Sequence, residues 1–423
     1  MKIVCFGPGP KFKGGISNYN TSLAKALDKI PGTEVHIVSW TQQYPAIIPR
    51  EFIDKSSRMD LLEGSHIKVK YITNYNNPLS WYQTYQYILS LKPDKVIFQW
   101  AIAIQGLPIG RIVSWLRHHP EIEVILDLHF VIQKENSSID QFFTKLGIGK
   151  AKTYIVHALK TYQELQTLYP QRKFQLSYDG QRSANPAEQT VLKLYHPIYD
   201  LFQPKADFDI AAFKQAHGLR KHVFLFFGFI RKYKGLHHVI PAFQKVAAQR
   251  DDVSLLICGE SFWQTLDNTK LTTKIKNALF GLAKKVVLRQ SDDERQYNPL
   301  ALIDELNLRD RVAVFNTFIP NEDVHKYFQV ADCVVLFYDY ATPSGIESLS
   351  YNFALPLVAT KVGHFPETIQ EGYSGYLAEA GDIDSMAQQM LRFLDAPIPH
   401  ENIRNKTSEM SWENYAKVIM YTK

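Results

Sequence analysis

Two cations in one short turn are the residues of this chain best placed to do chemistry. An apolar run, Val223–Phe227, leads into Gly228, then Arg231 and Lys234, then Gly235 and an amphipathic stretch. A second apolar run, Val253–Cys258, ends in Gly259 and Glu260. Read as strand, turn, helix and strand, this order brings free backbone N–H groups and fixed positive charge to one spot. Such a spot suits a phosphate or diphosphate, and Arg231 and Lys234 could neutralise a diphosphate as it departs. The bland alternative is a solvated basic turn, since Lys232 adds a third charge. The position between an apolar strand and a helix start favours the anion site.

Three other groups could serve the same site. Gly14 and Gly15 lie in a loop between a first strand and a helix that Ser17 is placed to cap, and their missing side chains permit close approach to a ligand. That spacing is neither the dinucleotide G-x-G-x-x-G pattern nor a P-loop. His129 follows the run Leu126-Asp127-Leu128, where a strand end either presents it to a cleft or buries it as a hydrogen-bonded cap. Glu135 follows in a polar loop, Gln133–Asn136. Ser344 and Gly345 come after the run Cys333–Leu336 and open a helix, a second cradle for phosphate. Glu347, in that helix's first turn, either answers the helix dipole or reaches sugar hydroxyls.

The elements that must hold these residues alternate between strand-like and helix-like patterns, which predicts an α/β fold with parallel sheets. Strands are predicted at Lys2–Phe6, Val35–Ser39, Ile67–Tyr71, Lys95–Gln99, Glu123–Leu128, Thr153–Val156 and Val191–Leu194. In the second half they fall at Val223–Phe227, Val253–Cys258, Val312–Phe315, Cys333–Leu336 and Leu357–Ala359. The segment His196–Leu219 is polar and Pro-containing and reads as a connector. A chain of 423 residues has room for two doubly wound, Rossmann-like domains facing across a cleft, 1–203 and 204–405. Ligands of such sheets bind at the carboxyl ends of strands, so the predicted site is that cleft. One segment breaks the alternation. Around 264–292, Leu271, Ile275, Ala278, Leu279, Leu282 and Val286 share one helical face, with Lys270, Lys274, Lys284 and Lys285 beside or opposite it. A basic amphipathic helix of this kind suits an anionic membrane interface, although packing on its own domain is the commoner use.

Composition narrows the classes. Apolar residues make up 45% and charged residues 21%, as in a soluble globular protein. A net charge of +6 is too mild for a dedicated nucleic-acid binder and compatible with an anionic substrate or membrane surface. Cys5, Cys258 and Cys333 sit in apolar runs without metal-ligand spacing or a paired pattern, which points to a reducing cytoplasm. No apolar run approaches the ~20 residues that span a bilayer, and the first residues read as a strand and not as a signal peptide.

These pieces, in this order, resemble the GT-B-fold glycosyltransferases of the group 1 class, family 4. The specific part is the carboxyl half: F-G-x-I-R-x-Y-K-G-L at Phe227–Leu236, I-C-G-E at Ile257–Glu260, D-R-V at Asp310–Val312, A-D-x-V-V-L-x-Y at Ala331–Tyr338, S-G at Ser344–Gly345 and P-L-V-A-T-x-V-G-x-x-P-E at Pro356–Glu367. Gly14-Gly15-Ile16, His129 and Ile155-Val156-His157 fit in the more diverged amino half. Ser411–Lys417 resembles the carboxyl-terminal helix that crosses back to the first domain, here within 406–423. The resemblance implies a retaining transferase that uses a nucleotide-diphosphate sugar as substrate without a metal. Arg231 and Lys234 would bind the diphosphate, Ser344, Gly345, Gly14 and Gly15 the distal phosphate or sugar, and His129 the transferred sugar. Glu260, Glu347 and Glu367 would add cleft contacts. Trp100 and Glu135 would meet the acceptor, a saccharide or a lipid-linked saccharide, with the inner face of the membrane as a peripheral surface and no nucleic-acid partner. Two departures stand out: Ala341 and Leu349 occupy the places of a pair of family glutamates, and Phe229 follows Gly228 where arginine is frequent. The first of these motivates an alternative, a catalytically silent sugar-nucleotide binder or assembly subunit. An epimerase would need an acid/base pair, for which His129 and Glu347 are the candidates.

Overall fold

The predicted strand runs build two parallel sheets in the computed structural model, which describes residues 1–421 apart from 46–47, 49–50, 133–137, 262–296 and 344. The first sheet holds β1 (Lys2–Phe6), β2 (Glu34–Gln42), β3 (Lys68–Asn74), β4 (Lys95–Trp100), β5 (Glu123–Leu128), β6 (Thr153–Val156), β7 (Lys173–Ser177) and β8 (Glu188–Lys193), in the order β3-β2-β1-β4-β5-β6-β8-β7. The second holds β9 (His222–Phe227), β10 (Val253–Cys258), β11 (Val312–Phe315), β12 (Cys333–Leu336), β13 (Leu357–Thr360) and β14 (Gly375–Ala378), in the order β11-β10-β9-β12-β13-β14. Every pairing is parallel, and β4, β10, β12 and β13 are buried along their whole length. Helices cover both faces of such sheets, so their central strands read as unbroken apolar runs. Each Leu, Ile or Phe fully buried there contributes about 1.5–3 kcal/mol.

In both sheets the strand order reverses at the first strand. β1 lies between β2 and β4, and β9 lies between β10 and β12. At such a switch point neighbouring connections leave in opposite directions and open a crevice at the carboxyl ends of the strands. The loop of Gly14 and Gly15 follows β1, and the turn of Arg231 and Lys234 follows β9, so each opens at its own sheet's crevice.

Four helices matter for the site: α1 (Gly15–Asp28) after β1, α2 (Leu236–Ala247) after β9, α3 (Gly345–Asn352) after β12, and α4 (Trp412–Met420) near the carboxyl end. Ser411 caps α4 by accepting from the Asn414 N–H at 3.1 Å. At the other end of α4 the Arg182 guanidinium donates to the carbonyls of Val418 and Ile419, which a helix carboxyl terminus leaves unpaired. Its inner face sets Trp412 and Tyr415 against Tyr19 of α1. The last helix is thereby fastened to the first lobe.

The connector departs from its predicted character. His196, Tyr199, Leu201 and Phe202 are buried between the lobes, and a short helix, Ile210–Ala216, follows. Glu367 also departs from the sequence reading. Its carboxylate joins the lobes, accepting from the Leu159 N–H and the Lys193 ammonium, each at 2.9 Å.

Candidate functional site

A cleft of about 320 Å³ lies where the two switch points face each other. Gly14, Gly15 and His129 line it from the first lobe, and Lys234, Glu260 and Gly345 from the second. Six positions named from the sequence thus share one cavity.

On the second lobe the turn after β9 is built by close approach. Gly228 has φ 99°, and a Cβ there would stand 2.9 Å from Lys234 Nζ and 3.2 Å from Ile346 Cδ1. The ammonium and the first turn of α3 therefore sit against the same point of backbone. Gly235 has φ 69°, and a Cβ would fall 1.8 Å from the Phe337 carbonyl oxygen, so only glycine fits. Lys234 is 8% exposed, with its Nζ 5.8 Å from the Tyr338 ring centre. A withdrawn ammonium beside a helix start is poised for an anion, because little water competes for it.

Across the cleft, Gly14 (φ 112°) stands at the start of α1. Ser17 does not cap that helix. Its hydroxyl donates back to the Gly9 carbonyl at 2.7 Å and closes the glycine loop on itself. The starts of α1 and α3 meet at Tyr199, a residue that nothing in the sequence singled out. Its hydroxyl donates to the Gly15 carbonyl at 2.8 Å, and a Cβ at Gly345 would lie 2.7 Å from its ring. Burial pushes the Tyr199 phenol well up, so it stays a neutral donor. Two helix amino termini and one lysine therefore border the same space, the geometry that gathers an anion.

His129 ends β5 and is 5% exposed. Its Nε2 lies 2.7 Å from Gln99 Oε1, and its Nδ1 is buried with no hydrogen-bond partner among the described residues. Burial, partly opposed by Asp127, brings its pKa down to about 4, so the ring is neutral near pH 7. Behind it Asp127 is fully buried. His157 Nε2 lies 2.9 Å from Oδ1, and the Tyr19 and Tyr415 hydroxyls lie 2.9 and 3.2 Å from Oδ2. Burial alone would raise the Asp127 carboxyl, but His157, His129 and Tyr19 outweigh it and hold it below the usual carboxylate range. Glu260 pairs across the cleft with Lys13 at 3.7 Å.

Three expectations are corrected. Arg231 is partly buried beside Tyr233, its guanidinium 5.2 Å from that ring, and is not among the residues lining the cleft. Glu347 turns away from it. Gly345, Ile346 and Leu349 take the cleft side of α3, so the side chain between them points elsewhere, and its Oε2 meets His364 Nε2 at 2.6 Å in a buried pair. Trp100 offers no face to an acceptor. It is fully buried in the core of the first lobe, so tightly that a Cβ on Gly147 would lie 2.3 Å from its ring. Ser344, Glu135 and the 264–292 segment fall outside the described residues. Among the described residues one group of metal-ligand types gathers, His237, His238 and Asp339, and none of the three lines the cleft. Its histidines already have partners, Asp339 at 3.0 Å from His238 and the Tyr297 hydroxyl at 2.9 Å from His237.

Paired Rossmann-like domains that meet at their switch points define the GT-B class, and this chain has that fold. Sucrose-phosphate synthase from Thermosynechococcus elongatus superposes with a TM-score of 0.63 at 17% identity, over 98% of this chain and 96% of that one. Anabaena HepE, solved in complex with UDP-glucose, superposes with a TM-score of 0.60 at 16% identity, over 98% and 94%. Residues 207–410 match the family model described as Glycosyl transferases group 1, and over that stretch the chain is similar to that family. N-acetyl-alpha-D-glucosaminyl L-malate synthase of Bacillus anthracis is 22% identical over 223 residues, which span 52% of this chain and 49% of that protein. No helix among the described residues is long and apolar enough to cross a membrane.

Proposed function

We propose that the chain is a retaining glycosyltransferase that moves a sugar from a nucleotide-diphosphate donor to a saccharide or lipid-linked saccharide, in the assembly of cell-surface polysaccharide. The observation that carries this reading is the convergence of Lys234 with the starts of α1 and α3 on one cleft, opposite His129. In the step proposed, the bond from the sugar's anomeric carbon to the diphosphate oxygen breaks and a bond to the acceptor oxygen forms on the same face. The acceptor proton passes to the departing diphosphate. Lys234 and the helix starts meet the negative charge that grows on that leaving group. Anabaena HepE was solved with UDP-glucose, which supports a uridine diphosphate sugar as the first donor to try.

Calorimetric titration with UDP and GDP, paired with a donor-turnover assay, tests the proposal. Binding with turnover is expected. If neither diphosphate binds, the cleft is not a donor site. Binding without turnover favours the silent binder, a reading supported by Leu349, an apolar residue lining the cleft where the family places a glutamate.

A further inference from the structure

Asp127 is a fully buried carboxylate for which the proposed reaction has no direct use. Besides His157, Tyr19 and Tyr415 it faces Gln99, whose Nε2 stands 3.4 Å from Oδ2. An ionised carboxylate can only accept hydrogen bonds. The Gln99 amide must therefore turn its nitrogen to Asp127 and its oxygen to His129, as the 2.7 Å contact to His129 Nε2 shows. That oxygen can only accept, so His129 Nε2 carries the proton. In a neutral ring Nδ1 is then a pure acceptor. Two further contacts hold the arrangement. The Gln99 stem rests on the glycine loop after β1, where a Cβ on Gly7 would come 2.8 Å from Gln99 Cγ. Tyr415 arrives on α4, and its hydroxyl lies 2.6 Å from that of Tyr19 while both face Asp127.

We propose that Gln99 is a positioning residue which, aligned by Asp127, locks His129 in its Nε2-protonated tautomer, and that α4 supports this lock through Tyr415. The proposal concerns the protein without ligand. Its consequence for the ligand rests on the donor-site reading given above. With Nδ1 as the ring atom left over, the part His129 can play towards a sugar hydroxyl that reaches its ring is that of acceptor. It neither donates to a phosphate oxygen nor acts as an acid. An acceptor withdrawn from water rewards the ligand that supplies the missing hydrogen and penalises one that lacks it. The carboxyl-terminal helix thereby belongs to the specificity of a site it does not touch.

Long-range proton–nitrogen spectra of the full chain, labelled in its histidine rings and free of ligand near neutral pH, test the lock. His129 is assigned by its absence in His129→Gln. The expected result is one tautomer, with Nε2 protonated and Nδ1 bare. Gln99→Met, close in volume and without the amide, should turn this into a mixture. Tyr415→Phe should shift the same signals less. A wild-type ring protonated at Nδ1 overturns the proposal, as does a folded Gln99→Met with unchanged ring signals. Should Asp127→Asn fail to fold, Gln99→Met still decides. If the spectra agree and no nucleoside diphosphate binds, the donor-site reading fails and the lock stands.

Discussion

On the second lobe the groups placed to meet an anion come from one short stretch, Gly228–Gly235, and from the start of α3. On the first lobe His129 owes its state to Gln99 on β4, Asp127 on β5, Tyr19 on α1 and Tyr415 on α4. One side is local backbone geometry with a cation, and the other is a buried polar network drawn from distant parts of the chain. The local side can tolerate change elsewhere, because backbone N–H groups and one ammonium need little support. The networked side, a neutral imidazole beside a buried carboxylate, is dry and interdependent, so it should be the more sensitive to acid and to remote substitution.

Acid should separate the two sides most. His129 is held down to about 4 against an ordinary 6.5, and burial holds His196 well down as well. Above about pH 6.5 both folded and unfolded chains carry these rings neutral, and stability does not depend on them. As the pH falls from about 6.5 towards about 4 the unfolded chain takes protons that the folded one refuses, so stability is lost across that window. The share of His129 is about 3 kcal/mol. Urea unfolding of wild type and His129→Gln across this range measures it, and the variant should show the shallower slope. Equal slopes would remove the neutral ring from the account. Next in size is Lys234→Ala, expected to lower kcat/KM by about 2 kcal/mol or more, roughly 30-fold. Arg231→Ala, outside the cleft lining, should cost clearly less. Equal losses in the two variants would undo their separation.

The same contrast decides what was legible in the sequence. The cationic turn, the glycine at each helix start and the alternation of elements are short-range patterns, and they led to Lys234, Gly14, Gly15, Gly345 and the parallel sheets. The strands that escaped, β7 and β14, are the outermost of their sheets. β7 is only partly buried, and both are short and lack the long apolar run of a central strand. His129 was visible as a strand-end residue, but its partners were not, since no spacing links Gln99, Asp127 and Tyr415. Tyr199 was hidden for a similar reason. It lies in a connector read as polar, and only the docking of two helix starts gives it work. Trp100 misled because an aromatic at a strand end looks the same in sequence whether it faces a cleft or a core. Glu347 misled because a helix's first turn offers several directions, of which one meets His364.

Tyr199→Phe probes the seam between the two sides. It deletes the hydroxyl that donates to the Gly15 carbonyl while the ring still fills the space against Gly345. The expected loss of stability is about 1 kcal/mol, the usual worth of one neutral hydrogen bond. Weaker UDP binding should accompany it if the two helix starts are held in place for the ligand, and unchanged affinity would leave Tyr199 a packing residue only.

The smallest effect should come from an ion pair that crosses the cleft itself. Lys13 and Glu260 stand 3.7 Å apart, largely shielded from water, with the Lys13 ammonium also 4.6 Å from the Phe318 ring. An anion entering the cleft meets both charges at once. Glu260 repels it, and Lys13 attracts it less than it would alone. Glu260→Gln removes the repulsion and releases Lys13, so UDP should bind tighter, by less than about 1 kcal/mol for so screened a pair. The gain should shrink at high salt. If Glu260 also accepts from a sugar hydroxyl, the gain seen with UDP should be smaller with UDP-glucose, because the amide accepts more weakly than the carboxylate. Calorimetry with both ligands at two salt concentrations reads this difference. A loss of UDP affinity in Glu260→Gln would mean that the pair closes the lobes on the ligand, and the cleft would then be held by charge on its first-lobe side as well.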